Sequence, residues 1–379
     1  MSSSSTQPTL DRAALATCDR LVIKVGSSSL TRPDGHLDMV HIALLVDVIA
    51  AAHQRGQEVA LVSSGAIAAG LLPLGLPRRP YDLPTQQAAA AVGQGQLLEL
   101  YGAMLRRFGL SAAQVLLTIG DLEYQERYHN ARQTMDRLLE LGVIPIINEN
   151  DTVATQELRF GDNDRLAALT AHLLHADAVL LLSDVDALYT AHPETPGARR
   201  IGIVRGPEDV EGIDISRRGS AMGTGGMVTK LEAARIATGA GVAVGLTDLD
   251  HLPAMLTGQD VGTFFVPTGK RRPARLLWLA HISDPDGALV LDEGAVRAVT
   301  GRKASLLPAG ITAVRGTFEV GDPVDLVGPD GALVARGLAN YAASDLKSMI
   351  GHHTWELAAN YGERFQRAAV HRDSLVVMR

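Results

Sequence analysis

The chain has 379 residues, of which 46% are hydrophobic and 20% charged, and its net charge is −7. This length exceeds what one ordinary hydrophobic core holds, so two domains are expected. The acidic balance provides no attraction toward nucleic acid or an anionic membrane, and no apolar run approaches the length of a membrane span. Cys18 is the one cysteine, which excludes an internal disulfide and favours a reducing, cytoplasmic location.

The first domain is predicted to contain a mostly parallel sheet sandwiched by helices. Residues 1–17 begin with a polar run and predict a disordered tail. Continuous apolar runs then predict strands over Leu21–Val25, Glu58–Val62, Gln114–Leu117, Val143–Ile147 and Ala178–Leu182. The stretches between them predict helices over Asp38–Gln54, Gln86–Phe108 and Leu122–Leu141. Buried strands that alternate with helices are typical of a parallel sheet covered on both faces.

Polar residues follow several of these strands at their carboxyl ends. Lys24 lies in the first strand, next to the small donors Gly26–Ser29. A charge is costly away from water, so this strand is either an edge strand with Lys24 in solvent or part of a site. The second strand is followed by Ser64-Gly65, and the fifth by Ser183-Asp184. Because ligands bind beyond the carboxyl ends of parallel strands, these residues are expected to converge with residues 148–164.

Residues 148–164 read NENDTVATQELRFGDND and connect the fourth predicted strand to a helix. A carboxylate at a helix start can simply cap it, and capping explains any one of these side chains. A cap needs one residue, whereas this segment offers six, which favours a polar site. The six residues are Asn148, Asn150, Asp151, Asp162, Asn163 and Asp164.

A glycine-rich cluster, Gly219–Lys230, precedes a helical pattern at Leu231–Thr238. Glycines let backbone amides approach an anion, and a helix start adds its positive end, so phosphate binding is one interpretation. A flexible surface loop is the other. The cluster is not a Walker A loop, and the chain has neither a GxGxxG fingerprint nor the HRD and DFG motifs of protein kinases.

From about Arg275 the sequence changes from long apolar runs and helical patterns to short strand-like pieces. Short strand-like pieces separated by Gly, Pro and Asp turns predict a small β-rich barrel or sandwich. These pieces are Gly287–Leu291, Gly310–Val314, Pro323–Leu326 and Ala332–Gly337. We therefore predict a first domain over residues 18–268, a linker over 269–274 and a β-rich domain over 275–379.

Several segments together resemble the glutamate 5-kinases of the amino acid kinase family. In the first domain they are Val22–Ser28, Ser63–Gly70, Asn148–Asp151, Gly161–Asp164 and Gly223–Lys230. Segments that resemble this family's PUA domain are Val290–Ala295, Ser305–Ile311 and Val370–Asp373. The resemblance covers nearly the whole chain after the tail. It implies an amino-acid-kinase-like α/β domain followed by a PUA-like barrel.

The resemblance also implies an activity. The family uses ATP with Mg²⁺ to phosphorylate the side-chain carboxylate of L-glutamate by in-line transfer. The product is L-glutamyl 5-phosphate, in the first step of proline biosynthesis. Feedback inhibition by proline and a homo-oligomer, a dimer or tetramer, are further implications. A carboxylate is already ionised at neutral pH, so this reaction needs positioning and charge neutralisation rather than a general base.

Roles for individual residues are implied by the same resemblance. Lys24 and Lys230 would flank the transferred phosphoryl group, and Asp164 would hold both lysines in place. Glutamate would be bound by Ser64, Gly65, Asn148, Asp151 and Asn163. The nucleotide would be bound by Lys24, Ser183, Asp184, Thr224, Gly225, Gly226, Met227, Val228, Thr229 and Lys230. The metal ligands stay open.

Two other functions stay open at this point. PUA domains elsewhere bind RNA, so the chain could be an RNA-linked regulator with a kinase-like body. The near-neutral charge of the C-terminal part disfavours RNA binding, because nonspecific affinity rests on Lys and Arg against phosphate. A catalytically inactive sensor of amino acids is the other alternative. The presence of both lysines and Asp164 disfavours it.

Overall fold

The computed structural model describes residues 12–32, 35–118, 121–122, 125–153, 163–213, 226–268, 279, 285, 287–302, 304–352, 365 and 367–378. The chain divides into two compact units, Met1–Arg271 and Arg272–Arg379. Within the described residues, no helix combines the length and apolar character needed to cross a bilayer. The predicted linker at 269–274 and the predicted site residues Asp162, Thr224 and Gly225 lie outside the described residues.

In its described part, the first unit contains a sheet of eight strands, in the order β3-β4-β2-β1-β5-β7-β8-β6. The strands are β1 Arg20–Val25, β2 Glu58–Ser63, β3 Ser111–Leu117, β4 Val143–Glu149, β5 Ala178–Leu182, β6 Ile203–Val204, β7 Ala243–Thr247 and β8 Thr263–Phe265. Every pair is parallel except β7 with β8. The mostly parallel sheet is therefore confirmed, and the last three strands are additions that the sequence did not predict.

Helices cover this sheet, and their starts follow from local chemistry. The helices are α1 Ala14–Thr17, α2 Ser27–Leu30, α3 Met39–Gln54, α4 Ala66–Leu71, α5 Leu83–Leu105, α6 Gln125–Glu140, α7 Asn163–Leu173, α8 Met227–Gly239 and α9 Leu252–Leu256. Asp38 caps α3 by accepting hydrogen bonds from the backbone N–H groups of Val40 and His41. Asp82 caps α5 in the same way, so that helix begins three residues before the predicted Gln86 and ends at Leu105.

Two predicted irregular segments are helical in part. The predicted disordered tail is wrong for its last residues, because Ala14–Thr17 form α1 and Leu15 is fully buried. Arg12 holds this segment in place by donating to the backbone oxygens of Gly202 and Val261, at 2.5 and 2.7 Å. The donor loop predicted after Lys24 is instead the single turn of α2.

The first strand lies in the middle of the sheet. β1 pairs in parallel with β2 on one side and with β5 on the other, and Lys24 lies opposite Val62 and Leu181. Lys24 is only 2% exposed, so the interpretation of an edge strand with this lysine in solvent is wrong. A lysine in this position requires a charged partner.

The second unit contains five described strands in the order β10-β9-β11-β12-β13, which confirms its β-rich character. The strands are β9 Gly287–Leu291, β10 Ile311–Gly316, β11 Pro323–Val327, β12 Leu333–Ala339 and β13 Val370–Val377. Helices α10 Glu293–Arg302 and α11 Ala343–Met349 accompany them. The core of this unit includes Leu289, Phe318, Leu326 and Leu346. Neither β13 nor the two helices were predicted from the sequence.

Candidate active site

One buried carboxylate contacts two buried ammonium groups. Nζ of Lys24 lies 2.5 Å from Oδ1 of Asp164, and Nζ of Lys230 lies 3.2 Å from its Oδ2. Asp164 is fully buried, while Lys24 is 2% and Lys230 7% exposed. When all three side chains are ionised, the two ammonium groups and one carboxylate sum to one positive charge. Such a net charge in a dry setting attracts an anion strongly.

Three elements bring this cluster together. The end of β1 carries Lys24, the second residue of α7 is Asp164, and the first turn of α8 carries Lys230. Oγ1 of Thr229 also donates to Oδ2 of Asp164, at 3.0 Å. The positive end of the α8 dipole adds to the charge of the lysines at this edge of the sheet.

A second cluster is built from amides and a hydroxyl. Nδ2 of Asn163 donates to Oγ of Ser64 at 2.8 Å and to Oδ1 of Asn148 at 2.9 Å. Nδ2 of Asn148 in turn donates to Oε1 of Gln94, at 2.9 Å. Asn163 and Asp164 are neighbours at the start of α7, so one helix start belongs to both clusters. The contact to Gln94 was not predicted from the sequence.

The turn after β2 places Ser64 beside the first strand. The backbone N–H of Ser64 donates to the carbonyl oxygen of Val25, at 3.1 Å. Gly65 has a φ of +99°, a left-handed conformation that glycine adopts without steric cost. This glycine allows the chain to turn directly from β2 into α4, which leaves Ser64 at the carboxyl edge of the sheet.

The other predicted site residues that the structure describes lie at the same edge of the sheet or at the start of α8. Asp151 is half-buried in the turn that follows β4. Ser183 is buried after β5, and Asp184 is exposed and accepts a hydrogen bond from Oγ of Ser183 at 3.2 Å. Gly226 is the residue before α8, which opens with Met227 and Val228. The ligands that these residues bind remain predictions.

The described residues contain no group of three or more His, Cys, Asp or Glu side chains placed to hold a metal ion. The carboxylate of Asp164 is engaged by the two lysines and Thr229. Mg²⁺ that enters with ATP is held mainly by the phosphates and water, with one or two protein carboxylates. The donor set present is compatible with such a nucleotide-borne ion.

Comparison with known families defines the class of this protein. Residues 19–245 match the model of the amino acid kinase family, and residues 287–360 match that of the PUA domain. A solved UMP kinase from Bacillus anthracis aligns with a TM-score of 0.46 and 16% identity, over 66% of this chain and 97% of that one. Because the first match covers more than half of the sequence, the chain belongs to the amino acid kinase family.

Similar sequences specify the branch of the family. The glutamate 5-kinase of Thermobifida fusca (strain YX) is 56% identical over 97% of this chain and 95% of its own length. The glutamate 5-kinase of Streptomyces avermitilis is 54% identical over 97% of this chain and 98% of its own length. Within the amino acid kinase family, the chain therefore groups with the glutamate 5-kinases.

Proposed function

We propose that this protein transfers the γ-phosphoryl group of ATP to the side-chain carboxylate of L-glutamate. The product is L-glutamyl 5-phosphate, in the first step of proline biosynthesis. The observation that carries the proposal is the pair of lysines, Lys24 and Lys230, held by the buried carboxylate of Asp164. Family membership supplies the identity of the two substrates.

The reaction joins two anions, and the cluster supplies what such a reaction needs. The glutamate carboxylate attacks the γ-phosphorus in line, and the bond from that phosphorus to the bridging oxygen of ADP breaks. The acceptor is already ionised at neutral pH, so no base has to remove a proton. Lys24 and Lys230 neutralise charge on the moving phosphoryl group, and Asp164 fixes their positions. Mg²⁺ bound to the phosphates would supply further charge neutralisation.

The amide and hydroxyl cluster is the proposed glutamate site. Ser64 and Asn163 bind the α-groups of the amino acid, and Asp151 pairs with its ammonium. Asn148 supports Asn163 through the hydrogen bond at 2.9 Å. Gly65 holds the turn that presents Ser64. In the proposed site the substrate lies beside Asp164, because Asn163 is the preceding residue in the same helix.

The proposed nucleotide site lies beside the lysine cluster. Ser183 and Asp184 follow β5, the strand next to β1. The residues before and within the first turn of α8, from Thr224 to Lys230, contribute backbone amides and the ammonium of Lys230. A helix start of this kind suits phosphate, because its N–H groups and its dipole both face the anion.

The remaining proposals concern regulation, assembly and location. From the likeness to glutamate 5-kinases we infer feedback inhibition by proline and assembly into a dimer or tetramer. A cytoplasmic location is consistent with the single cysteine of the chain. RNA binding by the PUA domain stays disfavoured because the charge of that part is near neutral.

Trapping the product tests the proposed reaction directly. An acyl phosphate is attacked readily by hydroxylamine, whereas a phosphate ester is not. Incubation with ATP, Mg²⁺, glutamate and hydroxylamine should therefore yield a glutamyl hydroxamate, in an amount equal to the ADP released. Release of ADP with a nucleoside monophosphate, and none with glutamate, would place the protein in the nucleotide-kinase branch of the family.

A further inference from the structure

We propose that Gln94 is a positioning residue for the amino-acid substrate. Its side chain fixes which atoms of Ser64 and Asn163 face that substrate, without contacting the substrate itself. The inference rests on the proposed function, because it takes these two residues to bind glutamate. It concerns a side chain of α5 that has no assigned role in this reaction.

The orientation of the Asn148 amide is determined by a backbone group. The backbone N–H of Glu149 lies 2.9 Å from Oδ1 of Asn148, and an N–H can only donate. The oxygen of the Asn148 amide therefore faces Glu149, and its nitrogen faces Gln94. That nitrogen requires an acceptor because Asn148 is only 3% exposed. Oε1 of Gln94 is that acceptor, at 2.9 Å.

The orientation of the Asn148 amide determines the orientation of the two residues proposed to face the substrate, Asn163 and Ser64. Oδ1 of Asn148 accepts from Nδ2 of Asn163, and the same nitrogen donates to Oγ of Ser64. Because the nitrogen of the Asn163 amide faces Ser64 and Asn148, the oxygen of that amide points away from them and can accept a hydrogen bond elsewhere. Oγ of Ser64 accepts this bond and keeps its own hydrogen for donation. A donor beside an acceptor matches the carboxylate and the ammonium of an α-amino acid.

Close packing of two helices fixes where the Gln94 side chain begins. A Cβ atom on Gly93 would lie 1.8 Å from the backbone oxygen of Ala66, and one on Gly70 would lie 1.9 Å from that of Ala89. The backbones of α4 and α5 are therefore in contact, and only glycine fits at these two positions. Because α4 starts directly after Ser64 and Gly65, the position of Gln94 is coupled to that turn.

The same face of α5 makes a second contact at this edge of the sheet. Tyr101 is seven residues, or about two helical turns, from Gln94, and seven-residue spacing returns to the same face. Its hydroxyl lies 2.9 Å from Oγ of Ser63, the last residue of β2. Helix α5 thus contacts the ends of both β2 and β4, the two strands that deliver Ser64 and Asn148.

A purely structural role for Gln94 predicts different behaviour from a positioning role. A buried amide that only stabilises the fold would lower the melting temperature when removed and leave substrate affinity alone. The chain contains a matched control for that case. Gln57 is 4% exposed, against 7% for Gln94, and its Nε2 donates to the backbone oxygen of Cys18 at 2.9 Å. It precedes β2, at the end of the sheet opposite the site.

The experiment compares three substitutions by steady-state kinetics with glutamate and ATP, and by thermal unfolding. Gln94→Met keeps the length and helix propensity of the side chain and removes the acceptor. Gln94→Glu restores an acceptor at the same place. Gln57→Met removes an equally buried amide far from the site. For each variant, kcat, both KM values and the Tm are measured.

We expect Gln94→Met to raise the KM for glutamate about tenfold, since Asn148 is left with a buried unpaired donor. Its kcat and its KM for ATP should stay within about twofold of wild type, because the lysine cluster is untouched. Gln94→Glu should recover most of the glutamate affinity. Gln57→Met should lower Tm with an unchanged KM for glutamate.

An unchanged KM for glutamate in Gln94→Met overturns the inference, as does an equal rise in Gln57→Met. If Gln94→Met does not fold, Gln94→Ala is measured in its place, because it also lacks the acceptor and adds no atom to the core. Wild-type protein that forms no glutamyl hydroxamate would overturn the proposed function instead. The two failures are therefore distinguishable.

Discussion

Nζ of Lys24 lies 2.5 Å from Oδ1 of Asp164, although the two residues are in different elements far apart in the sequence. Lys24 is in a central strand with apolar neighbours on both sides, where a lone charge would be very costly. Asp164 removes most of that cost, and it holds Lys230 by its other oxygen. The ion pair thus offsets the cost of burying Lys24, and it is also the basis of the proposed chemistry.

We predict that Lys24→Ala and Lys230→Ala each lower kcat by about 10²-fold or more, since each removes a charge that is proposed to stabilise the transferring phosphoryl group. Turnover is measured by coupled ADP release, with circular dichroism to confirm folding. Lys347→Ala is the matched control, because Lys347 is exposed in α11 of the second unit. Near-normal turnover in either site variant would remove that lysine from the phosphoryl group.

Asp164→Ala should destabilise the protein more than either lysine substitution does. It leaves two buried ammonium groups without their shared carboxylate, and breaking a buried pair costs about 3–5 kcal/mol. Urea unfolding of the variants measures this directly. Asp38→Ala provides the comparison, since it removes only the cap of α3, at about 1 kcal/mol. Equal losses for the two aspartates would show that the lysine cluster contributes little to stability.

The sequence predicted those parts of the fold that have a strong local pattern. The five strands predicted in the first domain correspond to β1 to β5. Four of them, β1, β2, β4 and β5, are almost wholly buried, and strands buried on both faces have largely continuous apolar sequences. The missed strands have weak local patterns. β6 has two residues, β8 has three, and β7 contains Gly245. In β13, exposed charged residues precede the apolar ones.

In the candidate site, too, residues with a local sequence pattern could be predicted and residues defined by long-range packing could not. Lys24 and Asp164 are candidates from the sequence alone, because a charge in an apolar run and an acidic cluster at a helix start are both local patterns. Gln94 could not be identified, since a glutamine within a helix is ordinary until packing places Asn148 against it. The close helix contact that explains Gly93 is a long-range feature.

Cys18 should be unreactive in the native protein at pH 8. Burial, with a further contribution from the charge of Asp177, raises the pKa of its thiol to about 11, so the reactive thiolate is scarce. Iodoacetamide labelling followed by mass spectrometry measures the reaction, and Cys18 is the one cysteine of the chain. Protein unfolded in urea is the control and should be labelled fully. Rapid labelling of the native protein would contradict the burial of this residue.

We predict that kinase activity belongs to residues 18–268, and that the β-rich domain is dispensable for it. Domain boundaries fall where few contacts cross, and the chain divides into two compact units near Arg271. A fragment that ends at Pro273 should be folded and active in the hydroxamate assay. Its sensitivity to proline is compared with that of the full chain. An inactive or insoluble fragment would show that the second domain completes the core or the oligomer.

Substitutions of Asp151 and Asp184 should affect different substrates, glutamate for Asp151 and ATP for Asp184. We expect Asp151→Ala to raise the KM for glutamate at least about tenfold, since it removes the proposed partner of the substrate ammonium. Its affinity for a nonhydrolysable ATP analogue, measured by calorimetry, should be nearly unchanged. Asp184→Ala is the matched control and should show the opposite pattern. A large loss of nucleotide affinity in Asp151→Ala would move that carboxylate to the ATP side.

The last prediction concerns which acceptors the enzyme accepts. Aspartate should be a poor acceptor. In the proposed site Asp151 and Asn163 hold the α-groups, so one methylene fewer draws the side-chain carboxylate back from the γ-phosphate. A displacement of about 1 Å in such a geometry can lower the rate by about 10²-fold. N-acetylglutamate should fail because acetylation removes the ammonium. Hydroxamate yields from the three acceptors measure both effects.

In Asp151→Ala, the preference for glutamate over N-acetylglutamate should shrink, because the carboxylate that distinguishes their α-nitrogens is gone. If aspartate gave the highest hydroxamate yield, the prediction would be wrong, and the site would fit an acceptor whose side-chain carboxylate is one carbon nearer the α-groups.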